Sequence, residues 1–258
     1  MIVHNPCQWV YSRVVTGTPF FAVRFNDGEM AMMFRTRPEG EELGTKENKA
    51  HTNYENGDAL RQMLADLATA DPARTLVGCS WWHDGEHPDT QLFRAEADRL
   101  GMLDRVNWCH EHWPLECTRD GTIRDLIDVI RVFGRLRDRR VFFITCDKLM
   151  PAGLCLGALG IAVPTHDAWD AREEVYGWCR EACETPTKAI FVWAAGCGLK
   201  PTAWRLYKEF PGSSHLDVGH LFNGAMGLND YGWLERKDGP WYEAYMRDFA
   251  PYVRSFIQ

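Results

Sequence analysis

The sequence predicts an α/β fold: a single Rossmann-like domain over residues 1–258, with a mostly parallel sheet flanked by helices. Three observations carry this. Two continuous apolar runs, Val141–Thr145 and Ala189–Ala195, have the pattern of strands buried on both faces. Segments with apolar residues at helical spacing alternate with strand-like runs over roughly 150 residues. The second run ends in Gly196-Cys197-Gly198, a glycine turn where a strand passes into a helix.

The elements follow in order. Phe20–Phe25 is a β-prone run that stops at the turn signal Asn26-Asp27-Gly28. Asp58–Leu67 places Leu60, Met63, Leu64 and Leu67 on one helical face. Thr75–Ser80 reads as a strand, and Gln91–Leu100 as a helix stopped by Gly101. Ile123, Leu126, Ile127 and Ile130 again share a helical face. After strand Val141–Thr145 come a helix at Leu149–Leu159, interrupted by Pro151, and a strand at Ile161–Pro164. Trp169–Cys183 reads as a helix. Strand Ala189–Ala195 leads into helix Lys200–Phe210, with Pro201 in its first turn where proline is tolerated. His215–His220 is the last strand and Trp241–Ile257 a terminal helix. Loops fall at Thr36–Asn56 and Trp82–Thr90.

Composition excludes several classes. Apolar residues make up 45% and charged residues 25%, which rules out a disordered or collagen-like chain. No run reaches the ~20 apolar residues that span a bilayer. Residues Met1–Val10 lack a basic start followed by an apolar run, so a cytoplasmic protein is expected. A net charge of −7 argues against broad, non-specific binding to nucleic acid. Arg131, Arg135, Arg137, Arg139 and Arg140 could still form a local phosphate-binding patch, or simply the solvated end of a helix. The nine cysteines include no Cys-x-x-Cys pair and read as reduced and mostly buried.

Four stretches carry chemistry. In Arg24-Phe25-Asn26-Asp27-Gly28-Glu29, a strand delivers Asp27 and Glu29 into a turn. Two such carboxylates suit Mn²⁺ or Mg²⁺ holding a diphosphate, and Arg24 could grip a phosphate. The same residues also fit an ordinary acidic turn. In Gly196-Cys197-Gly198-Leu199-Lys200, backbone N–H groups at a helix start favour an anion, and Lys200 adds positive charge. In His215–His220, Asp217 or His220 could act as a general base, or be satisfied within the core. Pro164–Asp170 brings Asp167 to a strand end, where it either lines a cleft or caps a helix. Trp81-Trp82 could form an acceptor platform or a half-buried aromatic pair. Cys109, His110, His112 and Cys117 have a spacing that matches no standard zinc finger.

Taken in order, these stretches resemble the GT-D fold glycosyltransferases. Phe21–Glu29 is similar to that family's Arg-Phe/Tyr-Gly-Asp-Gly-Glu segment. Pro164–Trp169 resembles its loop after a mid-chain strand. Val192–Leu206, with Pro201-Thr202-Ala203, is similar to its late glycine turn and helix, and Leu216–His220 to its Asp-Ile-Gly-His strand. The resemblance covers Phe20 to His220. The chain departs from the pattern at Asn26, where the family more often has glycine, and in the extended Gly-Cys-Gly-Leu-Lys stretch.

The resemblance implies a metal-dependent hexosyltransferase that uses a UDP-sugar. Asp27 and Glu29 would hold Mn²⁺ or Mg²⁺ against the donor. Arg24, Asn26, Gly196, Gly198, Lys200 and Thr202 would bind the donor, and Asp167 and Trp82 would lie on the acceptor side. Asp217 is the first candidate base and His220 the second. The acceptor would be a glycan hydroxyl or, as in phage relatives, a hydroxymethylated pyrimidine in DNA. Two rivals remain: a non-catalytic nucleotide- or sugar-binding module, and a nicotinamide-dependent oxidoreductase. The latter would need a glycine-rich turn after the first strand, where this chain has Asn-Asp-Gly-Glu.

Overall fold

Among the described residues, seven strands pair into one sheet. They are β1 (Phe21–Phe25), β2 (Thr75–Cys79), β3 (Trp108–Cys109), β4 (Arg139–Thr145), β5 (Leu159–Ala162), β6 (Lys188–Ala194) and β7 (Ser214–Asp217). Their spatial order is β3-β2-β1-β7-β6-β4-β5, and every pairing is parallel. The structure is a computed structural model and describes residues 1–34, 54–79, 88–164, 168–184, 188–228 and 240–257. At Asp27, Ala31, Tyr54, Glu55, Glu184, Pro240 and Trp241 it describes the backbone alone. The sheet and its helical layers are the α/β, Rossmann-like architecture expected from the alternating pattern.

Alternation along the strands sorts side chains to two faces. Phe21, Val23, Phe25, Val77, Phe142, Ile144, Phe191 and Trp193 build one apolar layer. It is covered by α2 (Asp27–Phe34), α3 (Tyr54–Leu67), α4 (Pro88–Arg99), α8 (Arg172–Glu184) and α9 (Lys200–Glu209). Ala22, Leu76, Val141, Phe143, Ile190, Val192 and Leu216 build the other. That layer packs on α1 (Pro6–Thr16), α5 (Trp113–Glu116), α6 (Thr122–Gly134), α7 (Gly153–Leu156) and the C-terminal segment, where Tyr245 and Phe249 follow α10 (Pro240–Ala244) and Ala250 and Val253 lie in α11 (Ala250–Arg254). The predicted faces of α3 and α6 are the buried ones.

Several boundaries differ from the sequence reading, each for a physical reason. The Asn26-Asp27-Gly28 turn is the start of α2: Met30 N–H donates to the Asn26 carbonyl at 3.0 Å. Helix α1 was not expected. Asn5 caps it by accepting from Gln8 N–H, Pro6 opens it, and Gly17 closes it in the left-handed region. The expected helix at Leu149–Leu159 is a 3₁₀ turn around Pro151 followed by the four-residue α7. Gly157, at φ 60°, then releases the chain into β5 two residues before the expected strand. Helices α3 and α4 begin at Tyr54 and Pro88, inside the two expected loops. The terminal helix is broken by a π-helical turn at Tyr245–Phe249, just ahead of Pro251, which has no N–H to donate. The short β3 is held by the N-terminal segment: Trp108 N–H donates to the Met1 carbonyl and Val3 N–H to the Trp108 carbonyl.

This topology fixes where a ligand can enter. From β1 the chain leaves into α2 on one face. After β7 it proceeds to the C-terminal helices on the other. Neighbouring strands whose connections diverge can leave a crevice beyond their carboxyl ends; β1 and β7 are one such switch point, and β4 and β6, followed by α7 and α9 on opposite faces, are another.

The core depends on aromatic packing at the centre of β6, where Phe191 stacks between Phe142 at 5.1 Å and His215 at 5.0 Å. Phe191→Ala is expected to cost about 3–5 kcal/mol in urea unfolding. A loss below about 1 kcal/mol would show that this stack does not anchor the sheet.

Candidate functional site

Four buried charges meet at the carboxyl ends of β1 and β7. Arg24 leaves β1 on the face of Ala22 and extends toward both neighbouring strands. Its Nη1 donates to the Glu111 carbonyl at 2.9 Å and its Nη2 lies 3.3 Å from Asp217 Oδ1. Two glycines make room for it. A Cβ on Gly78, its β2 neighbour, would sit 3.1 Å from Arg24 Cγ, and one on Gly219 would sit 1.6 Å from Nη2. Gly219 also has φ +49°, and its N–H donates to Asp217 Oδ1 at 3.0 Å. The last strand therefore ends at Asp217, before the expected His220.

The Asn26–Glu29 stretch forms half of a capping box. Glu29 Oε2 reaches back to accept from the Asn26 N–H at 2.9 Å, satisfying one of the free donors at the start of α2. The other oxygen, Oε1, is paired with the Lys200 ammonium. Lys200 opens α9, and its Nζ also meets Asp217 Oδ2 at 3.1 Å and the Arg24 carbonyl. Asp217 thus accepts from Arg24 Nη2, Arg24 N–H, Gly219 N–H and Lys200 Nζ.

These contacts decide the protonation states. Burial works to raise the Glu29 and Asp217 carboxyls, but Lys200, joined by Arg24 at Asp217, outweighs it and holds both below their ordinary values. Burial works to lower Lys200, and the two carboxylates more than reverse it. The cluster is two cations against two anions. A carboxylate with four donors and a depressed pKa is a poor proton acceptor, so the geometry gives Asp217 a holding role. His220, half-buried just beyond Gly219, is pushed down to about 4 by burial and then by the Arg24 charge, which leaves a neutral imidazole at pH 7.

Glu29, one of the two expected metal ligands, is not free to hold a resident Mn²⁺ or Mg²⁺ in this arrangement. The Asp27 side chain lies outside the described residues. Both Glu29 oxygens are engaged, and one holds an ammonium. A doubly charged ion about 4 Å from that ammonium would be opposed by roughly 8 kcal/mol at an effective dielectric constant near 20. Arg24, expected to grip phosphate, is instead spent on Asp217 and the Glu111 carbonyl.

The glycine turn lines, with Lys200 and Asp217, a small cavity of about 10 Å³ at the β1/β7 edge. Gly196 has φ 69°, and Cys197–Leu199 form a 3₁₀ turn leading directly into α9, whose first turn holds the buried Thr202. A Cβ on Gly198 would sit 2.7 Å from Trp169 N, so the chain after β5 closes against this turn as the strand-end argument expected. Asn26 Oδ1 is buried without a hydrogen-bond partner among the described residues. Asp167 and Trp82, expected on the acceptor side, lie outside the described residues.

One group was missed. Glu111 follows β3, and its carbonyl receives Arg24. Its side chain is 7% exposed, with His110 Nε2 at 3.4 Å from Oε2 and His112 Nε2 at 3.5 Å from Oε1. Glu116 holds His110 Nδ1 at 2.7 Å. Burial raises the Glu111 carboxyl. His112 is pushed to about 3 by burial and then by Arg24. His110 is raised because its carboxylate neighbours outweigh burial. The thiols do not join in: Cys109 packs in the core, and Cys117 and Cys7 are free thiols hydrogen-bonded to each other. Among the described residues no His, Cys, Asp and Glu group of three or more is arranged to hold a metal. The only signal available was the density of titratable groups in His110-Glu111-His112.

The arginine-rich stretch is elsewhere. Arg139 and Arg140 open β4, so they stand at the opposite end of the sheet, roughly 20 Å from the crevice for a seven-residue strand. Arg131 pairs with Asp128, and Arg139 covers the Phe133 ring.

Two outcomes are expected. Gly219→Ala should lose at least about 2 kcal/mol in urea unfolding, since it combines a left-handed backbone with displacement of Arg24. Gly212→Ala, where a Cβ meets open space, should be near neutral. The three depressed histidines, His112, His215 and His220, contribute stability that is present above their ordinary pKa of about 6.5 and is lost as pH falls toward their folded values. His110 acts in the opposite sense but is one against three. The urea midpoint should therefore be lower at pH 5 than at pH 7, and an equal or higher value at pH 5 contradicts the assignment.

Comparison of the chain with family models, curated proteins and solved structures gives no match.

Proposed function

We infer that the β1/β7 crevice binds the diphosphate of a nucleotide sugar, with UDP as the expected nucleotide, and that the protein transfers the hexose to a hydroxyl acceptor. One observation carries this reading. Three segments far apart in the chain, Arg24–Glu29, Gly196–Thr202 and Asp217–His220, are tied together at the β1/β7 switch point by the Lys200 contacts to Glu29 and Asp217. These are the segments that resemble a GT-D transferase, and they meet where an open α/β sheet accepts ligands.

The chemistry assigns each part a task. Backbone N–H groups at the start of the Cys197–Leu199 turn and α9 face developing negative charge on the leaving diphosphate. Asp217 and Arg24 hold the crevice in shape. His220 is the remaining candidate base: its imidazole is neutral at pH 7 but weakly basic, because burial holds it at about 4, and it takes the acceptor hydroxyl proton only as that oxygen bonds to the anomeric carbon. The carbon–oxygen bond to the diphosphate breaks, and its electron pair leaves with the nucleotide. The distance of the arginine-rich stretch from the crevice favours a glycan or small hydroxyl acceptor over a base in duplex DNA.

Among the described residues, no helix is long and apolar enough to cross a membrane. A nicotinamide-dependent reaction is disfavoured because β1 runs into the Asn26–Glu29 capping box and not into a glycine-rich turn that a dinucleotide pyrophosphate could approach.

Release of UDP from a panel of UDP-hexoses, with glycan and hydroxymethylated DNA acceptors supplied separately, tests the reading. His220→Ala should lower kcat by about 10²–10⁴-fold. UDP affinity by calorimetry should stay within about twofold of wild type. UDP binding with no turnover of any donor would assign a binding module instead.

A further inference from the structure

Lys200 is chemically unusual. A side chain that normally keeps its charge in water is here 7% exposed, at the base of the crevice. An ammonium has three N–H donors, and three oxygens from three separate segments receive them. Glu29 Oε1 comes from the start of α2, Asp217 Oδ2 from the end of β7 at 3.1 Å, and the Arg24 carbonyl from β1. Two carboxylates and a backbone carbonyl are the donor types a hard divalent cation takes. Arg24 does not compete for this position, because its guanidinium reaches Asp217 through the other oxygen, Oδ1. With Lys200 in place, the charges of Arg24, Lys200, Glu29 and Asp217 sum to zero. Adding a divalent ion would leave two uncompensated positive charges in a buried cluster.

We propose that the Lys200 ammonium is a built-in cation occupying the position of a divalent metal, and that nucleotide binding in the crevice needs no metal ion. The second clause rests on the donor reading above. The first does not, because it follows from the oxygen cage alone.

Removing the amine should expose that cage. Mn²⁺ titrations followed by electron paramagnetic resonance are expected to show no stoichiometric site in the wild type. Lys200→Ala should bind one Mn²⁺ per chain at least about tenfold more tightly than wild type, with a rise in its melting temperature. The double variant Lys200→Ala/Glu29→Gln should lose that site. In the wild type, UDP affinity by calorimetry should agree within about twofold between Mn²⁺ and EDTA. A wild-type protein that binds one Mn²⁺ and needs it for UDP overturns the proposal and leaves the donor reading standing. A folded Lys200→Ala that gains no Mn²⁺ site also overturns it. Should Lys200→Ala fail to fold by circular dichroism, the wild-type Mn²⁺ and UDP titrations decide. An absence of UDP binding in both buffers overturns the donor reading, while the Mn²⁺ comparison still judges the lysine.

Discussion

Two buried cations balanced against two buried carboxylates hold the β1/β7 switch point together. Glu29, Asp217 and Lys200 are each satisfied by groups from other parts of the chain, and Arg24 spans the strands between them. Such an arrangement is a weak source of net stability, because desolvating four charges offsets most of their mutual attraction. Its effect is on specificity of structure. Losing any one member strands a charge in the interior, which typically costs about 3–5 kcal/mol, so alternative packings of these strand ends are strongly disfavoured. The glycines at 78 and 219 belong to the same constraint, since Gly78 leaves room for the Arg24 stem and Gly219 for its guanidinium.

The cluster also explains why the crevice has the polarity it has. Its own charges cancel, so it does not attract an anion by net charge. Around it stand the glycine turn, the buried side-chain oxygen Oδ1 of Asn26, and the neutral His220 imidazole beyond Gly219. A site of oriented dipoles around a neutralised centre recognises geometry more than charge.

Much of the fold was legible because the central strands are apolar on both faces, and because α3 and α6 carry an unbroken helical stripe. The helix starts were legible in principle. Asn5-Pro6 and Asn26-x-x-Glu29 both have cap chemistry, but Asn-Asp-Gly at 26–28 is also a strong turn signal, and the turn reading competed with the cap. Strand β3 was not legible, since two residues carry no period and its pairing depends on the distant N-terminal segment. At the site, the sequence pointed to Arg24, Glu29, Lys200 and Asp217 but not to their mutual engagement. Side chains read as facing a ligand face one another, and no local pattern encodes a contact spanning 176 or 193 positions. Glu111 was hidden for the same reason: its place beside Arg24 exists only once β2 lies between them.

Arg24 grips the segment after β3 with one nitrogen and the end of β7 with another, across a strand whose only concession is a missing side chain at Gly78. It acts as a strut between the two banks of the crevice. The two banks are therefore tied through one side chain, so a substitution at Arg24 releases both at once. Change that spares this tie is left to the connections above the rim, where the sequence can vary without loss of the fold.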